Sequence, residues 1–316
     1  MSIPKPGRSP IRPAARSTTR LNHRKAFMRP FELFLYVAVV FGWSTSWYPL
    51  SLQLGVVAPE VSIVWRFLIS SMMMLAITAI FRIRLRFGPR EHLRFLFLGM
   101  ALFSTNFALF YNSSLYLASG LLAVILSMSS LINVVLVAVI NRRRPPVLQV
   151  AAAVVGLVGL GLIFAPELKT LPTAGIGVLY GVVATFSFCI GNLLSSDSQR
   201  REIPVLASTS WGMVYGTVFM TIIATLRGHP FIIDMSPGYL FSLAWLILVS
   251  SVMTFACYLS LIGRIGPGRA AYATVVFPIF ALLISARYEG YEWSVAALAG
   301  LGLVVLGNLI MIRARD

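Results

Sequence analysis

The chain has 316 residues, 58% of them hydrophobic and 11% charged, with a mean hydropathy of +0.85. Soluble domains carry about a quarter charged residues, so this chain cannot cover a water-facing surface, and its apolarity equally excludes a disordered polymer. The formal net charge of +16 would suggest a nucleic-acid partner in a soluble protein, but in a membrane protein such an excess marks loops held on the cytoplasmic side.

Residues 1–30 form a basic, proline-containing tail without a single acid, read as disordered and cytoplasmic. No short apolar core with a small-residue cleavage site follows it, so it does not read as a signal peptide; its Arg- and Ser/Thr-rich, acid-poor composition leaves a transit peptide as the alternative. Ten apolar runs come next, at 31–50, 59–80, 95–116, 119–140, 147–165, 173–196, 205–226, 238–262, 268–287 and 293–312. Each is near the ~20 residues that cross a bilayer as a helix. The runs are continuous rather than alternating, which excludes barrel strands. Cys189 and Cys257 both fall inside runs and read as small buried hydrophobes rather than a disulfide or a metal pair.

The basic residues orient the spans. Of the 26 Lys and Arg, Lys169, Arg227 and Arg287 fall in one set of loops and Arg66 inside a span. All the others fall in the tail, the alternate loops and the C-terminus. This asymmetry places both termini in the cytoplasm, leaves no nucleic-acid signal, and predicts a multi-pass protein of the bacterial inner membrane.

Ten spans divide into five plus five around Pro166–Pro172, and an odd number per half inserts the halves in opposite orientations. The predicted units are 31–165 and an inverted 173–312. Shifting the chain by 148 residues places Phe107 on Phe255, Ala108 on Ala256, Gly120 on Gly268 and Ala123 on Ala271. The fifth and tenth runs share glycine-rich stretches, Gly156-Leu-Val-Gly159-Leu-Gly161 and Gly300-Leu-Gly302. No strand precedes them, so they predict close helix packing rather than a nucleotide loop.

The stretches FGWSTSWYPL, APEVSIVWRFL, FYNSSLYLASGLLAVILS, ATFSFCIGNLL, GRIGPGRAAYATVVFPIFALL and AGLGLVVLGN, in this order, resemble the drug/metabolite transporter superfamily of EamA type. Within it the chain is similar to YddG-type exporters of aromatic and other neutral amino acids. The resemblance covers about residues 31–312. It implies an all-helical fold of two inverted five-helix repeats and alternating access through a central cavity. One departure is Ser130, where the family usually has a proline; the equivalent Pro278 is kept.

Intramembrane charge is costly and marks function or structure. Arg66 stands one to two turns from Glu60. It either holds a substrate carboxylate or ties its helix to backbone carbonyls or to Glu60, and the resemblance favours the structural role. No Asp, Glu or His lies near the middle of a run, which argues against proton coupling, with coupling through Glu60 as the alternative. Neither a paired-carboxylate, HExxH nor Ser/His/Asp set is present, so no enzyme, cofactor or metal is expected. A receptor would need no inverted repeat.

What remains is an aromatic and small-polar lining. The candidate substrate contacts are Trp43, Ser44, Ser46, Trp47, Asn106, Phe110, Ser127, Ser130, Phe186, Tyr215, Thr274 and Phe277, with Tyr111, Tyr258, Tyr272 and Pro278 as gates. Neutral π-faces and hydroxyls suit small amphipathic metabolites such as aromatic and neutral amino acids. Flat lipophilic cations are the alternative. The expected partners are the substrate and the bilayer, and a monomer is expected.

Overall fold

The computed structural model describes residues 29–313 except 141, 143, 145, 171–172, 259, 262–263 and 265–272; at 130, 134–135, 137, 167, 169–170 and 311–313 it describes the backbone alone. The described chain is helical, with no strand among the described residues. Among the described residues, eight helices are long and apolar enough to cross a membrane: α1 (Pro30–Ser51), α2 (Pro59–Ile80), α3 (Pro89–Ser113), α4 (Ser119–Ile140), α5 (Val147–Thr170), α6 (Ala174–Arg200), α7 (Val205–Leu226) and α8 (Pro237–Tyr258). Two shorter apolar helices follow, α9 (Ala273–Tyr288) and α10 (Val295–Arg313).

Prolines at the first helical position start α1, α2, α3 and α8, where a missing N–H costs nothing. α3 begins six residues before the apolar run, and α6 ends four residues after its own, because polar turns extend helices beyond the hydrocarbon where hydropathy no longer reports them. The expected break at Pro166 does not occur. α5 continues through Pro166 to Thr170, since one proline removes one hydrogen bond without ending a membrane helix.

Other interruptions fall inside the helices. α1 breaks at Thr45–Ser46, because Pro49 has no N–H to donate to the Thr45 carbonyl. The side chains of Thr45 and Ser46 turn back instead to the carbonyls of Phe41 and Gly42. α4 breaks at Met128, whose N–H bonds to the Ile125 carbonyl at 3.1 Å while its own carbonyl accepts from Leu131 at 2.9 Å. The helix is therefore interrupted two residues before Ser130 without the proline. α3 and α8 each contain a π-helical segment, Gly99–Thr105 and Leu246–Met253.

α5 packs on α10, α2 on α7, α4 on α9, and α3 on α6 and α7; α8 lies against α1 and α2. The glycine stretches do serve close packing. A Cβ on Gly159 would lie 2.6 Å from the Gly300 carbonyl oxygen, and one on Gly307 would lie 2.8 Å from that of Ala152. Only hydrogen fits at these crossings, which lets the two backbones touch.

Polar contacts gather at two opposite ends. At one, Asp197 pairs with Arg94 and Arg201, and the Tyr215 hydroxyl meets His92 Nδ1 at 3.0 Å. At the other, Glu60 pairs with Arg227 and His229. There Glu289 also accepts from Ser51 and from the backbone N–H and hydroxyl of Ser119, an anion set at the N-terminus of α4.

Candidate functional site

A cavity of about 50 Å³ lies between α1, α2, α3, α4, α6 and α8. Its wall includes Trp43, Ser46, Trp47, Arg66, Asn106 and Phe110 from the sequence-derived set. The space is narrow and holds a few waters between the side chains.

Aromatic rings crowd it. Trp43 and Trp47 stand one turn apart on α1. Trp43 packs on Tyr258 with ring centroids 4.8 Å apart, and Trp47 packs edge-on to Phe110 at 5.1 Å. Phe277, wholly buried, sits between them, 5.8 Å from Trp43 and 6.5 Å from Trp47. α9 is tied here to α1 by the Ser44 hydroxyl, which donates to the Phe277 carbonyl at 3.2 Å, next to Pro278. The same 148-residue shift relates Phe110 to Tyr258, so two aromatic pairs flank the cavity at successive turns of α1.

Arg66 is 1% exposed. Its Nε donates to Ser251 and its Nη2 to Ser250, each at 3.0 Å. The guanidinium lies over the ring of Phe107 at 4.4 Å and that of Phe67 at 5.2 Å. Glu60, the acid nearest in sequence, is held instead by Arg227 and His229. The tie from Arg66 to Glu60 or to backbone carbonyls is thus replaced by two serine hydroxyls and two aromatic faces.

A family model for the EamA-like transporter family matches the chain twice, over residues 30–165 and 175–313. The chain belongs to the EamA-like transporter family. Among curated proteins, it is 18% identical to Protein PagO of Salmonella typhimurium over 287 residues, covering 89% of this chain and 93% of that one. It is 23% identical over 210 residues to an uncharacterized transporter of Archaeoglobus fulgidus, covering 63% and 70%. A solved crystal structure shares the fold at a TM-score of 0.65 and 14% identity, covering 90% of this chain and 96% of its own.

Several residues expected at the cavity of this EamA-family chain stand elsewhere. Phe186 is half-exposed on the outer face of α6, because the adjacent Thr185 and the later Phe188 already take the inward face and a helix turns about 100° per residue. Tyr215 is engaged at the polar end with His92 and Trp211. The Ser127 hydroxyl donates to the Val124 carbonyl at 2.7 Å, inside the α4 break. Ser44 belongs to a second, larger cavity of about 570 Å³ between α1 and α9, lined almost wholly by apolar side chains; many of these are exposed on the outer surface, as Val37, Phe41, Phe280 and Leu283 are. Thr274 is buried in α9 outside the described lining. Tyr111 is not at a mouth of the cavity but wholly buried beside Arg66. Phe110 follows Leu102 and Asn106 at four-residue steps along the wall, and Tyr111, a further 100° around the helix, lies behind it. Tyr272 and the Ser130 side chain lie outside the described residues.

Phe107, Phe255, Ser250, Leu50, Leu102 and Phe188 also line the cavity. Phe107 and Phe255 were visible as an identity across the 148-residue shift. Read only as a trace of duplication, that identity also named two equivalent walls.

Proposed function

We propose that the chain is a ten-span inner-membrane exporter of small amphipathic metabolites, above all aromatic and other neutral amino acids. In this reading two inverted five-helix halves work by alternating access, with both termini in the cytoplasm. The observation that carries it is the narrow central cavity, flanked at successive turns of α1 by the pairs Trp43–Tyr258 and Trp47–Phe110. Alternating access needs one barrier on each side of a central site, and aromatic side chains supply both barrier and apolar contact.

The repeat reading gains support from local structure. The π-helical segments of α3 and α8 fall at the 148-residue offset, within one residue at the start. The contacts of α3 with α6 and α7 are mirrored by those of α8 with α1 and α2. Arg66 on the wall disfavours cationic substrates, whose charge it repels. The described lining carries no carboxylate, which supports movement down the substrate's own gradient rather than proton coupling.

Counterflow in proteoliposomes tests this reading. Labelled phenylalanine is expected to exchange against neutral amino acids, to be indifferent to cationic dyes, and to continue when an uncoupler collapses the proton gradient at constant pH. Exchange of dyes without amino acids would sink the substrate assignment. Loss of exchange with the uncoupler would sink the energetic one.

A further inference from the structure

Arg66 presents a guanidinium with no negative charge to meet it. Nε and Nη2 reach Ser251 and Ser250, and Nη1 is buried. Tyr111, 0% exposed, sets its hydroxyl against this guanidinium. A cation from α2 and a hydroxyl from α3 therefore meet without an anion, with Arg66 forming part of the cavity wall and Tyr111 directly behind it. No salt bridge to Arg66 is found among the described residues, and Glu60 is committed to Arg227 and His229.

An unpaired cation inside the membrane is expensive, and a group that neutralises it gains accordingly. Ser250 and Ser251 orient the guanidinium, and the faces of Phe67 and Phe107 cover it, so its open edge is fixed in direction. A carboxylate is an acceptor-only group with two oxygens. It accepts from the guanidinium and from the Tyr111 hydroxyl at once, takes the hydroxyl's place as the guanidinium's acceptor, and supplies the missing charge. An alcohol or carboxamide supplies no charge.

We propose that Arg66, with the Tyr111 hydroxyl as second donor, is the seat for a carboxylate of the transported substrate. This rests on the reading of the central cavity as the substrate site. It assigns polarity to bound substrate: the carboxylate lies toward α2 and α3, and an aromatic side chain lies toward Trp43 and Trp47. Cationic compounds that lack an acid are rejected by the uncompensated guanidinium.

The test is competition against labelled phenylalanine counterflow by unlabelled phenylalanine and by phenylalaninamide, which keeps the ring and the ammonium and lacks only the carboxylate. The intact chain is expected to prefer the acid over the amide by at least about tenfold, since hydrogen bonds to charged groups are worth that much or more. Arg66→Gln and Tyr111→Phe are each expected to weaken phenylalanine about 10- to 100-fold while changing the amide little, so that the preference shrinks. Tyr111→Phe removes one oxygen and no packing, so it decides the matter if Arg66→Gln does not fold. Equal use of acid and amide by the intact chain overturns the proposal while leaving the cavity reading in place. A ratio unmoved by Tyr111→Phe and by any folded Arg66→Gln also overturns it, and makes Arg66 a structural tie. Exchange of neither compound overturns this proposal together with the amino-acid reading.

Discussion

Replacing Gly300 with leucine is expected to destroy the folded protein. A Cβ at Gly300 meets the Gly159 carbonyl oxygen at 2.5 Å and the Ile163 backbone nitrogen at 2.9 Å. Both are backbone atoms of α5, so no side chain can swing aside, and accommodation requires separating α5 from α10 along their length. Overpacking typically costs about 1–3 kcal/mol where neighbours can give. Here they cannot, and a loss of at least about 3 kcal/mol is expected, an order-of-magnitude figure at the upper end of that range. The control lies two residues on: a Cβ at Gly302 meets nothing within 4 Å, so Gly302→Leu is expected to be near neutral. Survival as a monodisperse peak after graded heating in detergent measures both. Equal stability of the two variants would mean that α5 and α10 do not cross as described.

Trp43→Ala is expected to weaken aromatic substrates by about 1–3 kcal/mol through lost stacking and burial, and alanine much less. Trp43 is a partly exposed ring of the cluster, contacting Phe255, Tyr258 and Phe277 while facing the cavity. Here these neighbours cover the ring; in the proposed substrate complex an aromatic side chain takes their place. Counterflow affinities for phenylalanine and alanine, measured side by side, report the difference. Equal losses for both would place the aromatic part of the substrate away from α1.

The helical architecture was legible because twenty-residue apolar runs admit few other structures, and the glycine stretches of α5 and α10 correctly forecast backbone contact. The helix breaks were only half legible. Pro49 signals the one in α1, but the α4 break at Met128 arises where no proline stands. The π-helical segments carry no sequence mark that a 3.6-residue period detects. Arg66 was legible as an exception, since a lone charge in a span needs a reason, but its partners were not. Ser250 and Ser251 come from α8, more than 180 residues away in sequence, while the obvious candidate Glu60 is claimed by Arg227 across the outer contacts of α2 and α7. Phe186 and Tyr215 were chosen by residue type, and their helical faces put them elsewhere.

The central claim is that substrate occupies the cavity beside α1, and a single cysteine there tests it most directly. Ser46 lines the cavity and is 7% exposed, and Ser46→Cys changes one atom. With Cys189 and Cys257 replaced by alanine, Cys at this position is expected to react with a small membrane-permeant maleimide as the cavity opens. Phenylalanine is expected to slow that labelling at the same concentrations that half-saturate its exchange. Labelling that saturating phenylalanine leaves untouched, in a variant that still exchanges phenylalanine, would contradict the account.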